Sequence, residues 1–137
     1  MKIREIMSSD VECVDPETAL TEVANKMKTL DVGFIPVCQN DRLAGTVTDR
    51  DIVVRGIAGN RDVKTLKARD IMSKDVVFCQ EDEDIKNVAK KMRDKDVRRI
   101  LILNHAKRLV GVVSIGDIVK AEEKIGGQTL RDITEAA

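Results

Sequence analysis

The sequence repeats itself at an offset of 65 residues, and this repetition limits the possible folds more than any other feature. The matching begins with Lys2, Arg4, Ile6, Met7, Ser8, Asp10 and Val11, which align with Lys67, Arg69, Ile71, Met72, Ser73, Asp75 and Val76. One inserted residue near Ala106 raises the offset to 66, so that Leu43, Gly45 and Asp51 align with Leu109, Gly111 and Asp117. The chain therefore contains two copies of a unit of about sixty residues, the pattern of a duplicated fold.

The spacing of apolar residues changes in the same order along both copies and predicts the elements strand, helix, strand, strand, helix. A short extended segment comes first, at 11–14 and 76–79. Apolar residues three and four apart then predict a helix with one buried face, formed by Leu20, Val23, Ala24, Met27 and Leu30 and by Ile85, Val88, Ala89 and Met92. Two short apolar runs with a tight turn predict antiparallel strands, at 34–38 with 43–47 and at 100–103 with 109–113. A last helix, at 49–55 and 115–124, ends near Gly56 and Gly126.

These elements predict an α+β fold built from two tandem β-α-β-β-α repeats. The predicted boundaries are 1–57 for the first repeat, 58–65 for a linker, 66–125 for the second repeat and 126–137 for a C-terminal tail. A three-stranded sheet with two helices leaves one sheet face uncovered, and two copies can bury those faces against each other. The tail, with Leu130 and Ile133 before its alanines, predicts no more than a short helix or a disordered end.

Composition argues against several classes of partner. The chain has 24 basic and 24 acidic residues, so no overall field attracts nucleic acid or an anionic membrane. Without a long apolar span and with a charged N-terminus, it is expected to be cytoplasmic. The three widely spaced cysteines fit neither a disulfide framework nor a zinc site, and we expect buried thiols in a reducing compartment. Tryptophan and tyrosine are absent, which removes an aromatic platform for single-stranded bases.

The same polar pattern ends the last strand of each copy. Thr48 precedes Asp51 by three residues, and Ser114 precedes Asp117 by three. One interpretation is a capping box, in which hydroxyl and carboxylate only satisfy backbone donors at a helix start. The other is a binding site, where free N–H groups attract a phosphate and the carboxylate accepts hydrogen bonds from a ribose diol. Spacing alone leaves both open, and one junction can serve both roles.

A pair of arginines distinguishes the second copy from the first. Arg98 and Arg99 precede the buried strand residue Ile100, at the positions that Gly33 and Phe34 occupy in the first copy. Guanidinium groups at a strand end suit phosphate binding, although adjacent basic residues are usually a solvated loop. If both copies form binding sites, those sites are not equivalent. The only histidine, His105, has no evident serine or cysteine partner, so we predict no enzyme activity.

The order of these motifs resembles the CBS domain, and their duplication resembles the tandem pair called a Bateman module. The resemblance covers about residues 1–124 and rests on Ile6-Met7, Ile71-Met72, Phe34-Ile35-Pro36-Val37, Thr48-Asp49-Arg50-Asp51 and Ser114-Ile115-Gly116-Asp117. It implies two repeats packed through their sheets about a pseudo-two-fold axis, and modules that commonly pair into a disc. It also implies ligands such as AMP, ADP, ATP, NAD or S-adenosylmethionine.

The resemblance also implies roles for residues of both copies. Asp51 and Asp117 would hold a ribose, and Thr48 and Ser114 would lie near the ribose or phosphate. Arg98 and Arg99 would contact phosphates, and the segment around Val11, Val76 and Val77 would enclose the base. The full predicted ligand-binding set is Thr48, Asp51, Val76, Val77, Arg98, Arg99, Ile100, Ser114, Gly116 and Asp117, with no metal site and no obligatory cofactor.

The predicted function is therefore a regulatory module that senses energy or redox state through an adenine nucleotide. The predicted partners are a second copy of the chain and an effector protein that the sequence does not identify, with neither membrane nor nucleic acid among them. Ligand would act in trans by shifting a conformational or dimer equilibrium. The alternative is a structural protein-protein interaction module whose clefts stay empty and whose junction motifs only cap helices.

Overall fold

The computed structural model describes residues 1–121, 123 and 131–135 of the chain. The chain forms two compact units, and each is built from pieces of both sequence repeats. One unit is continuous, Glu12–Val76. The other combines Met1–Val11 with Val77–Ala137. Each repeat thus gives its opening segment to the unit that holds the strands of the other repeat. The predicted boundaries of the repeats mark the duplicated stretches of sequence, and they do not coincide with the boundaries of the compact units.

The continuous unit contains helix α1 (Leu20–Leu30), strands β1 (Phe34–Gln39) and β2 (Arg42–Thr48), and helices α2 (Asp49–Asp51) and α3 (Ala68–Ile71). α2 continues directly as a π-helix, Ile52–Ile57. β1 and β2 pair antiparallel, as their tight turn predicts, and Val14 bridges Val37 on the other side of β1 in a parallel sense. α1 ends because Asp31 adopts a left-handed conformation with φ 54°. The core of this unit consists of Val14, Leu20, Val23, Met27, Ile35, Val37, Val47, Leu66, Ala68 and Ile71.

The discontinuous unit begins with a 3-10 helix, Ile3–Glu5. Its later elements are β3 (Phe78–Gln80), α4 (Ile85–Lys95), β4 (Arg99–Leu103), β5 (Leu109–Ser114) and α5 (Ile115–Ala121), and residues 131–135 are helical. The sheet order is β3-β4-β5, with β3 parallel to β4 and β4 antiparallel to β5. Its core contains Ile3, Ile85, Val88, Met92, Ile100, Ile102, Val113, Ile118 and Ile133. Within these described ranges, no helix has the length and apolarity needed to span a bilayer.

Backbone hydrogen bonds fix the exchanged opening segments in both units. In the discontinuous unit, Ser8 and Val112 exchange two backbone hydrogen bonds of 2.9 Å, one in each direction. In the continuous unit, Thr46 and Ser73 exchange bonds of 2.9 and 2.8 Å in the same arrangement. Each pair is reciprocal and antiparallel, so the opening segment of one repeat extends the last strand of the other.

Several sequence predictions need correction. The segment 11–14 is not a strand, because Val14 alone forms a bridge and the remaining residues make no ladder. Ala24 and Leu30 are exposed, so the buried face of α1 is narrower than predicted. Gly56 does not end its helix, because the π-helix runs on to Ile57. The predicted end at Gly126 lies outside the described residues. Cys13 is exposed, although Cys38 and Cys79 are buried as expected.

Candidate functional site

The strand-to-helix junction of each repeat is a complete capping box. In the junction of β2 and α2, Thr48 N donates to Asp51 Oδ2 at 3.0 Å and Asp51 N donates to Thr48 Oγ1 at 3.0 Å. In the junction of β5 and α5, Ser114 N donates to Asp117 Oδ2 at 2.9 Å and Asp117 N donates to Ser114 Oγ at 3.2 Å. The capping interpretation of these motifs is therefore confirmed, because each hydroxyl and each carboxylate satisfies one backbone donor.

Each capping carboxylate uses only one of its two oxygens in the cap. The second oxygen of Asp51, Oδ1, lies 3.9 Å from Nε of Arg55. The Asp51 side chain is 17% exposed, so this oxygen remains near the surface. Asp117 Oδ1 has no hydrogen-bond or ion-pair partner among the described residues, and Asp117 is half-buried. A carboxylate accepts through up to four lone-pair sites, so capping leaves both aspartates able to accept a further hydrogen bond.

An acidic side chain occupies the entrance of β1 at the first junction. Asp49 N donates to Gly33 O at 2.9 Å, which places the two residues side by side. A Cβ atom on Gly33 would lie 3.2 Å from Oδ2 of Asp49, so the carboxylate rests against the bare Cα of the glycine. Asp51, the exposed Arg50 and Arg55, which lies 3.9 Å from Asp51, belong to the same junction, so its two carboxylates and two guanidinium groups balance to a formal charge of zero.

The second junction carries more positive charge in the same backbone arrangement. Ile115 N donates to Arg98 O at 3.0 Å, the counterpart of the bond between Asp49 and Gly33. Arg98 and the neighbouring Arg99 are exposed, and Arg99 lies opposite Ser114 in the register of β4 and β5. With two guanidinium groups and the carboxylate of Asp117, the formal charge is +1. This excess of positive charge favours an anionic group, and the balanced charges of the first junction give no such preference.

The described residues bring together part of the predicted set. Arg98, Arg99, Ser114, Gly116 and Asp117 meet at one junction because β4 and β5 are paired neighbours. Gly116 is exposed, and a Cβ there would meet only Ser114 Oγ, at 3.5 Å.

The apolar members of the predicted set lie elsewhere. Ile100 is 1% exposed, so its side chain belongs to the core and only its backbone borders the junction. Val76 and Val77 are half-buried in the segment before β3, and Val77 packs against the core of the discontinuous unit.

Two features of the chain lie outside the sequence predictions. The predicted site residues do not include Asp49, whose counterpart in the second repeat is Ile115. Aligning the repeats by charge as well as by identity would have shown the difference in charge between the two junctions. The cysteines were predicted as separate thiols, whereas the Cys13 thiol is close enough to Cys38 to raise the pKa of the Cys38 thiol. Within the described residues, no group of three histidine, cysteine or acidic side chains lies close enough to hold a metal ion.

Comparisons with known proteins agree with this architecture. The sequence profile of the CBS domain matches residues 3–56 and 68–124. Hypoxic response protein 1 of Mycobacterium tuberculosis (strain CDC 1551 / Oshkosh) is 35% identical over 118 residues, covering 85% of this chain and 82% of that protein. A crystal structure of Hypoxic Response Protein I with two coordinated zinc ions is 34% identical, with a TM-score of 0.79 over 88% of this chain and 98% of that one.

Two further structures share the fold at lower sequence identity. The CBS domain pair of protein MJ0100, in complex with 5-methylthioadenosine and S-adenosyl-L-methionine, is 22% identical with a TM-score of 0.75. CBSX2 in complex with AMP is 18% identical with a TM-score of 0.76. In both cases the similarity covers 90% of this chain and 97% of the other. At these identities the likeness concerns the α+β fold.

Proposed function

The chain belongs to the CBS domain family as a tandem pair of such domains, and from that membership we propose that it is a regulatory module that binds an adenine nucleotide. Ligand binding would report energy or redox state and act in trans on an effector protein through a conformational or dimer equilibrium. The observation that carries the proposal is the second junction, where Asp117 keeps one carboxylate oxygen available beside Arg98 and Arg99. Two related folds hold AMP, or 5-methylthioadenosine with S-adenosyl-L-methionine, which supports the ligand class.

The groups at the second junction correspond to the parts of a nucleotide. Asp117 Oδ1 accepts hydrogen bonds from a ribose diol while Oδ2 remains in the cap. The guanidinium groups of Arg98 and Arg99 bind the phosphate, to which their planar donors are suited. Gly116 leaves space at the helix start, and the segment before β3, where Val77 belongs to the same unit as Asp117, is assigned to the base. AMP, ADP, ATP and NAD all carry this combination of groups.

The first junction is proposed to bind a different ligand or none. Thr48 and Asp51 repeat the polar pattern of the second junction, but Asp49 replaces an apolar residue and no arginine lies at position 33 or 34. A phosphate placed here would face the Asp49 carboxylate, and like charges at short distance repel. We therefore expect any ligand of this junction to be a nucleoside without a phosphate, such as S-adenosylmethionine.

Calorimetry with AMP and adenosine tests the ligand assignment on three variants. Asp117→Asn keeps an acceptor for Ser114 N but loses the charged acceptor, and a charge-assisted hydrogen bond contributes roughly 1.5–3 kcal/mol. AMP affinity should therefore fall on the order of tenfold to a hundredfold, with little change in melting temperature. Arg98→Ala should weaken the binding of AMP and barely affect the binding of adenosine. Asp51→Asn is the matched control, because it alters the same motif at the other junction and should leave AMP binding unchanged.

The same measurements distinguish nucleotide binding from the alternative function, a structural interaction module. A structural interaction module with empty sites would use the two capping boxes for helix stability alone, and those boxes are present. In that case AMP, ATP, NAD and S-adenosylmethionine would all leave the melting temperature of the parent unchanged. The calorimetric titrations with AMP would then show no binding to the parent or to Asp117→Asn.

We also propose that the module forms a homodimer. Val53, Val54 and Ile57 are 54, 48 and 62% exposed on the π-helix, where three neighbouring apolar side chains face solvent. A second copy of the chain is the occupant that fits, because a two-fold dimer would pair this apolar surface with itself. Burying the three side chains removes apolar area from water, which favours association.

A further inference from the structure

Cys13 and Cys38 form a pair of neighbouring thiols in the unit Glu12–Val76. Val14 N donates to Pro36 O at 3.0 Å and Cys38 N donates to Val14 O at 2.8 Å, which fixes the segment that contains Cys13 along β1. Val14 and Val37 are bridge partners and both belong to the core of this unit. Cys13 and Cys38 directly adjoin these two bridge partners, and Cys38 N bonds to the residue that follows Cys13, so the two cysteines are near neighbours.

The two thiols differ in their access to solvent. Cys13 is exposed, whereas Cys38 is 7% exposed. Burial, the neighbouring Cys13 thiol and the Asp41 carboxylate raise the pKa of Cys38 to about 12, so alone this thiol reacts slowly. Cys79 is also buried, and no thiol is among the groups that shift its pKa. The chain thus contains one accessible thiol (Cys13), one protected thiol close enough for Cys13 to raise its pKa (Cys38), and one protected thiol that serves as an internal reference (Cys79).

We propose that Cys13 and Cys38 are an oxidation site at which a low-molecular-weight disulfide produces an intramolecular disulfide bond. The Cys13 thiolate attacks one sulfur of the small disulfide, which breaks the S–S bond and releases one small thiol. The sulfur of Cys38 then attacks the Cys13 sulfur of the mixed disulfide, and the second small thiol leaves with the Cys38 proton. Two protein thiols lose two electrons in total, and one small disulfide is reduced to two thiols.

The bond would fasten the segment at the start of this unit to β1. The chain passes from one unit to the other between Val11 and Glu12, immediately before Cys13. The described hydrogen bonds that tie this segment to β1 are the two made by Val14. A covalent link restricts the unfolded chain and keeps the segment docked, so the oxidised protein should melt at a higher temperature than the reduced protein. Transient disulfides of this kind are the form in which intracellular proteins respond to oxidants.

Oxidised glutathione is the probe for a direct test on the full chain. The reduced protein is incubated with oxidised glutathione and then unfolded in the presence of iodoacetamide. Its mass is measured by intact mass spectrometry. We expect one alkylated cysteine and a mass lower by two hydrogen atoms than that of the singly alkylated reduced chain. Tryptic digestion should join peptide 5–26, which contains Cys13, to peptide 29–42, which contains Cys38. Peptide 75–86 should carry the alkylated Cys79.

Variants of each cysteine complete the test. Cys13→Ser should prevent the link and leave Cys38 free of glutathione, because the accessible thiol is gone. Cys38→Ala should stop the reaction at a glutathione adduct on Cys13, and Cys79→Ala should form the link as the parent does. The proposal is refuted by a stable adduct on Cys13 of the parent, by three alkylated cysteines after oxidation, or by links that involve Cys79 or a second chain.

Discussion

Replacing Gly45 by alanine tests the exchange of opening segments in the continuous unit. A Cβ atom at this position would lie 2.6 Å from Ser73 O and 3.1 Å from Met72 Sδ. The first distance is roughly 0.8 Å shorter than an ordinary contact, and the obstructing atom belongs to the backbone. Ser73 O also accepts from Thr46 N at 2.9 Å, so moving it away lengthens a hydrogen bond. Gly45→Ala therefore strains the contact that attaches the opening segment of the second repeat.

The expected cost follows from these contacts. Overpacking a buried site costs about 1–3 kcal/mol, and weakening one backbone hydrogen bond adds about 0.5–1.5 kcal/mol. Replacing glycine by alanine also lowers the conformational entropy of the unfolded chain, which raises the free energy of unfolding by about 0.4–1 kcal/mol. We expect a net loss of about 2–3 kcal/mol in the free energy of unfolding. At about 4 °C per kcal/mol for a chain of this size, the melting temperature should fall by about 10 °C.

Gly111→Ala is the matched comparison at the equivalent position of the other unit. Its Cβ would lie 2.5 Å from Met7 Sδ and 3.0 Å from Ser8 O. The closest obstruction is here the end of a flexible side chain, which can adopt another rotamer. We expect a loss of about 1 kcal/mol, measured by urea unfolding followed by circular dichroism. The reasoning fails if Gly111→Ala loses as much stability as Gly45→Ala, or if Gly45→Ala unfolds like the parent.

Three further outcomes follow from the structure. Asp96 ends α4 with φ 55°, so Asp96→Gly should raise the free energy of unfolding by about 1 kcal/mol in urea titrations, and a loss would contradict this. Burial raises the pKa of Cys79 from 9.0 to about 12, so the unfolded chain loses this proton first and stability falls as pH rises through that range. Between pH 9 and 10 the parent should lose about 1 kcal/mol more than Cys79→Ala, and equal pH profiles would refute the assignment. Light scattering at micromolar concentration should show a dimer that Val54→Lys converts to monomer, and a parent that is monomeric with and without AMP would exclude the proposed dimer.

Sequence periodicity predicted the elements that depend on local pattern. α1 occupies Leu20–Leu30 and α4 occupies Ile85–Lys95, where the apolar spacing placed both helices. The antiparallel pairing of β1 with β2 and of β4 with β5 follows from turns too short for any other connection. Hydroxyl and carboxylate three residues apart predicted the capping boxes, because that chemistry is complete within one helical turn.

The partner of each opening segment could not be predicted in this way. Ile3 and Ile71 carry the apolar character of a core residue, but nothing local specifies which of two similar cores receives them. The thiol pair was missed for the same reason, since Cys13 and Cys38 meet only through the bridge of Val14 to Val37. The charge difference between the junctions could have been found, because it requires only that Gly33 and Asp49 be compared with Arg98 and Ile115.

The exchange of opening segments also sets an order of events during synthesis. The unit Glu12–Val76 is continuous, so it can fold as soon as its last residue has left the ribosome. Ser8, by contrast, pairs with Val112. At roughly 5–20 residues per second, the ribosome adds Val112 about 5–20 s after it has added Ser8. During that interval Ile3 has no finished core to enter, and the segment around it is available to a chaperone. The continuous unit should therefore become protected from proteolysis on stalled ribosomes well before the segment around Ile3.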